Sequence, residues 1–151
     1  MIYKEKNRIK EFTKGELPHE GYLSFLVNTL HASEKLSLIK EVVTIISDYN
    51  ESNWPSDEMW ENLLPKWFLN KIEKYSPEEV IKNSSLLWDY GSWLDAMKYR
   101  GWEWYSSKIN SNGFDIILIP ITLPFSVNPL EYIIYETGVP IKNITFNDFS
   151  A

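Results

Sequence analysis

The sequence predicts an α+β fold: a helical N-terminal half, then a small mixed β-sheet. Three observations carry this. Apolar residues recur at helical spacing along the first two thirds of the chain. Two strand-like runs then flank Asn112-Gly113, which predicts a hairpin over 102–121. Finally, a punctuated helix at 128–137 leads into IKNITF, a last strand at 141–146. Helices first and sheet second make one α+β domain spanning 1–151.

Residues 1–14 are locally basic, with Lys4, Lys6, Arg8, Lys10 and Lys14 against Glu5 and Glu11. Ile9 and Phe12 can seat a short helix, and the rest reads as a solvated arm. Gly15, Pro18 and Gly21 break the chain. Tyr22, Phe25, Leu26 and Leu30 then mark a helix at 3.6 spacing. Ser33-Glu34 opens another, lined by Leu36, Ile39, Val43 and Ile46, and the two are expected to pack as an antiparallel pair. Ser56 caps a helix carrying Asp57 and Glu58 in its first turn. Pro65 starts a segment with Trp67, Phe68 and Ile72, and Ser76-Pro77-Glu78-Glu79 repeats the start pattern ahead of Val80 and Ile81. Leu86, Leu87, Trp88, Trp93, Leu94 and Met97 describe a further amphipathic helix, which Gly101 ends.

In the closing region, Asn112 and Gly113 suit the two positive-φ centres of a type I′ turn. The run Phe114–Ile121 is apolar on both faces, so it belongs in the middle of a sheet. In the strand before it, Trp102, Trp104, Ser106 and Lys108 are expected to share one face. Asn128 as N-cap, Pro129 at N1, Glu131 at N3 and Gly138 at C′ punctuate the helix. A strand at 141–146 returning beside 114–121 would be parallel to it, through a right-handed crossover, although an antiparallel meander also fits.

Composition narrows the function. The net charge is −6, whereas a nucleic-acid-binding surface is basic. No run is long enough to span a membrane. The opening MIYKEKNRIKEF lacks the apolar core of a signal peptide, and cysteine is absent. Both favour the cytoplasm. The six glycines are scattered, so no phosphate loop forms. No H-E-x-x-H, Cys/His cluster or G-x-S-x-G is present. His19 and His31, the two histidines, read as surface or packing residues. The expectation is a protein that is not an enzyme and needs neither cofactor nor metal.

The seven tryptophans all lie between Trp54 and Trp104 and are expected mostly to pack the core. One segment stands apart. From Glu41 to Pro65 the chain carries six acids and no Lys or Arg, with Trp54 and Trp60 among them. Helix-dipole stabilisation accounts for Asp57 and Glu58. A partner-binding patch accounts for the whole run, with acids steering and an aromatic anchoring. Trp54, Asp57, Glu58, Trp60 and Glu61 are its candidate contacts.

Three runs, SWLDAMKYRGWEW (Ser92 to Trp104), GFDIILIPI (Gly113 to Ile121) and LEYIIYETG (Leu130 to Gly138), together resemble immunity proteins of bacterial polymorphic-toxin and contact-dependent growth inhibition systems. The resemblance lies in a Trp-containing helix, a hairpin with a strongly apolar second strand, and a closing helix ending in Gly. It covers the C-terminal third of the chain. It implies an acidic, cytoplasmic, non-catalytic protein that binds a cognate toxin C-terminal domain and blocks its active site. A basic-surfaced toxin such as a nuclease would suit the acidic, Trp-bearing run. The alternative from the residues alone is a non-enzymatic, aromatic-rich ligand-binding or adaptor domain.

Overall fold

The computed structural model describes residues 4–74, 78 and 88–151. Its elements are α1 (Glu5–Glu11), β1 (Tyr22–Asn28), α2 (Ala32–Ile46), α3 (Asp57–Leu63), α4 (Lys66–Ile72), α5 (Tyr90–Lys98), β2 (Trp102–Asn110), β3 (Gly113–Pro120), α6 (Asn128–Glu136) and β4 (Ile144–Phe149). Short 3₁₀ turns occupy Glu51–Asn53 and Ile141–Asn143. The fold is α+β. The helix start expected at 76–81 lies outside the described residues, apart from Glu78. No helix among the described residues is long and apolar enough to cross a membrane.

The four strands form one antiparallel sheet in the order β2-β3-β1-β4. β3 is interior, as its two apolar faces require. The residues at 22–28 form a strand, not the expected helix. Tyr22, Phe25 and Leu26 fit a 3.6 period, but Leu23, Phe25 and Val27 also fit a period of two, and these three are buried. Pairing on both sides, with β3 and β4, decides between the periods. Leu26 and Leu30, needed for the helical stripe, are exposed. This strand occupies the place beside β3, so β4 pairs with β1 and runs antiparallel. The sheet therefore has no parallel pair, and the mixed sheet with a crossover is replaced by a purely antiparallel one.

The hairpin loop is Ser111-Asn112, with Asn110 paired to Gly113. Neither loop residue has positive φ, so the turn is not type I′. Gly113 is needed for another reason: β1 crosses so close that a Cβ there would overlap the Val27 carbonyl oxygen. A bulge at Tyr105 shifts the register between Trp104 and Ser106. Trp102 and Trp104 stay in the core, while Ser106 pairs with Ile117 on the other face.

The core lies between the sheet and the helices. Leu23, Phe25, Val27, Trp104, Phe114, Ile116 and Leu118 meet Ile39, Val43 and Ile46 of α2 and Leu130, Ile133 and Ile134 of α6 in one cluster. Phe68 of α4 joins Trp93 of α5 and Tyr132 of α6, with ring centroids 4.5 and 6.0 Å away. The Trp93 indole donates to the Pro129 carbonyl at 3.1 Å. At the start of α6 the capping position is Val127, not Asn128, and Pro129 lies in the first turn. Gly138 has φ 102 just past the helix, as expected of C′.

Candidate functional site

The run from Glu41 to Pro65 covers the end of α2, the 3₁₀ turn and α3. Its six acids divide by what they touch. Glu41 accepts the Trp67 indole N–H at 3.0 Å, and Asp48 pairs with Lys6 at 3.0 Å. Glu51 stands exposed in the 3₁₀ turn, where Asn50 caps the backbone of Ser52 and Asn53. Asp57, Glu58 and Glu61 are exposed on α3, and none of them is in an ion pair among the described residues.

Local sequence explains the helix. The Ser56 hydroxyl accepts from the Met59 N–H at 3.2 Å, and Asp57 and Glu58 sit in the positive first turn. Glu61 lies a turn later, where the dipole no longer favours it. Its neighbours at i−4 and i−3 are Asp57 and Glu58, like charges that cost the helix a few tenths of a kcal/mol each, roughly 0.2–0.5. The field they produce is felt at Tyr90, whose hydroxyl donates to the Asp57 carbonyl at 2.9 Å. Burial first, then Glu61, Asp57, Glu73 and Glu58, hold that phenol well above its ordinary pKa. The Asp57 and Asp89 carboxylates both approach Gly91, so Asp89, the cap of α5, borders the same face.

Of the two tryptophans expected here, Trp60 is fully buried and is not a surface contact. Its ring faces the core, against Tyr49 at 5.2 Å and Trp54 at 4.9 Å. On a helix whose other side is charged, burying the one large apolar ring is the physical outcome. Trp54 remains half-exposed, resting on Trp60. The acids and Trp54 therefore share a support, and only Asp57, Glu58 and Glu61 form a continuous row.

Trp54 also lines a groove of about 760 Å³ between α1, the 47–54 segment and the start of β2. The floor is an ionic network built from both arginines of the chain. Arg100 donates to Glu5 at 2.7 Å, and Arg8 donates to Glu103 at 2.8 Å. Glu5 also accepts the Trp104 N–H at 2.7 Å, while Arg8 Nε donates to the Trp104 carbonyl at 3.0 Å. These two side chains stand in for a strand on the free edge of β2. Further along, backbone bonds continue the cover: Ser107 N–H to Phe12 and Gly15 N–H to Ser107, both 3.0 Å. Burial raises the Glu5 carboxyl pKa, outweighing the opposite pull of Arg100. No local pattern marks this network, because its ion-pair partners lie 95 residues apart. The signal that was available is the scarcity of arginine: Arg8 and Arg100 only.

His19 and His31 are exposed and outside the groove. Among the described residues no group of three or more His, Cys, Asp or Glu could hold a metal ion. Comparison with protein-family models, with curated proteins and with solved structures found no match.

Proposed function

We propose that the chain is an immunity protein that binds and neutralises a cognate bacterial toxin domain, with α3 as the contact element. The observation that supports this is the row Asp57, Glu58 and Glu61, exposed and without ion pairs among the described residues. Like charges at these spacings weaken a helix, so folding does not account for Glu61. Opposite charge on a partner would turn that cost into steering and complementarity. A basic groove such as that of a nuclease is the matching surface, and occupying it blocks catalysis without chemistry. An interface of ordinary size, about 1,600 Å² in total, fits a domain with 8696 Å² of surface.

The test is genetic and biochemical together. The domain encoded at the 3′ end of the gene immediately upstream should poison cells when expressed alone. Co-expression of this chain should restore growth, and the two should co-purify. An upstream neighbour without a toxic domain, or toxicity that persists beside abundant soluble chain, contradicts the proposal.

A second reading, a non-enzymatic ligand-binding domain, draws on the groove, whose volume lies in the usual small-molecule range of roughly 300–1,000 Å³. Trp54 on its wall would report binding by a change in fluorescence that Trp54→Phe removes. An unchanged spectrum across a metabolite panel opposes it.

A further inference from the structure

Three acids on a seven-residue helix do not make an interface by themselves. Such a helix is about 10 Å long, whereas a standard interface takes roughly 800 Å² from each partner around an apolar centre. Trp60, the large aromatic of α3, is turned into the core. The anchor has to come from a neighbouring element.

The segment after β3 supplies one. Ile121 is 52% exposed and Leu123 83%, and Tyr99, just past α5, is 58% exposed. Exposed loops are generally mobile, but this one is pinned. The Gly101 carbonyl accepts the N–H groups of Ile121 and Thr122 at 2.8 and 3.2 Å, and the Arg100 carbonyl accepts that of Ser126 at 2.8 Å. Gly101 has φ 77, and a Cβ there would lie within 2.9 Å of the Thr122 and Pro124 carbonyl oxygens. The backbones at 100–101 and 121–126 are therefore locked together, and they hold an apolar lip in water at little entropic cost to binding. Ile121 and Thr122 line the same groove as Trp54 and Glu51 of the acidic run. Tyr99 borders it, because the Nζ of Lys98, a lining residue, is 5.2 Å from the Tyr99 ring centre. Trp54 in turn leans on Trp60 of α3, so acids, groove and lip form one continuous surface.

We propose that Tyr99, Ile121 and Leu123 are the apolar anchor of the partner interface, and that the groove takes a basic protein segment carrying an aliphatic or aromatic side chain. This rests on the reading of α3 as the contact element. The charges on the groove wall set the direction of the segment. Glu51 has no ion pair among the described residues and faces the segment's Lys or Arg, as do the acids of α3. Lys98 and Lys4, also without ion pairs there, face its carbonyl groups. Long-range charge governs encounter and buried apolar contact governs escape, so the two parts of the surface have separate kinetic signatures.

The test is the binding kinetics of the domain encoded upstream. Ile121→Ser/Leu123→Ser, which leaves the net charge unchanged, should raise the dissociation rate about tenfold or more, with association rate and salt dependence unaltered. Leu123→Met should stay within about threefold of the unmodified chain. Glu58→Lys/Glu61→Lys should slow association instead. Unchanged melting of the serine variant separates lost contact from lost fold. If the unmodified chain binds and neutralises while the serine variant dissociates no faster, this inference is overturned and the immunity reading stands. No binding by the unmodified chain overturns both. A free chain of twice 17.8 kDa in light scattering, returned to 17.8 kDa by the serine variant, gives the lip to a second copy and overturns it as well.

Discussion

At the scale of single residues, Glu5 matters most. Its carboxylate serves Arg100 and the Trp104 N–H at once, and both partners are buried or nearly so. Glu5→Ala leaves a guanidinium and a backbone donor without their acceptor, so a loss of about 3 kcal/mol or more is expected in urea unfolding. Lys6→Ala, which breaks the exposed pair with Asp48, should cost less than about 1 kcal/mol in the same measurement. The pH dependence has a definite sign. Because burial raises the Glu5 pKa in the folded state, its contribution is fully present below the ordinary carboxylate range and is lost as pH rises through the raised value. Glu5→Gln cannot ionise, so its urea midpoint should gain on the unmodified chain as pH increases through that window. Little of this was legible in sequence. Short basic segments usually face water, and nothing near Glu5 or Arg8 reveals partners 95 residues on. Asn112-Gly113 suggests a type I′ turn, which does not form; Gly113 is instead required because its backbone is crowded by Val27.

At the scale of elements, α3 sets folding against function. Glu61→Lys replaces two like-charge contacts with opposite-charge pairs to Asp57 at i,i+4 and Glu58 at i,i+3. The helix should gain about 0.5 kcal/mol, seen as a small rise in melting temperature, while affinity for a basic partner falls. Stability and affinity that fall together would instead mark Glu61 as a structural residue. Helix α3 and strand β3 are legible because Ser56 caps the one and the doubly apolar run places the other inside the sheet, whereas α2 and α5 are legible by period alone: α2 follows His31 and not Ser33, and α5 begins at Tyr90 behind the Asp89 cap, past Trp88. β1 was not, because seven residues with three alternating apolar positions satisfy both periods until neighbours on both sides are known. That one misreading also explains the wrong place for β4, since β1 takes the position beside β3. Trp60 was misplaced for a related reason: an aromatic in an acidic run looks exposed until its helix is turned to face the core.

At the scale of the whole molecule, fold class and a central β3 follow from patterning, whereas function depends on which surface is left unexplained by folding. The core accounts for Trp60, Trp93, Trp102 and Trp104, and the ionic floor accounts for both arginines. Glu61 remains, and we propose that with Asp57 and Glu58, which the helix dipole already accounts for, it steers and holds a basic toxin domain. The most direct measurement is the association rate of this chain with the domain encoded upstream, compared with Glu58→Lys/Glu61→Lys over a range of salt. The association rate of the unmodified chain should fall steeply with salt, and the variant should be slower by about tenfold or more at low salt, with its fold intact. Equal rates for the two proteins, or a rate indifferent to salt, would contradict it.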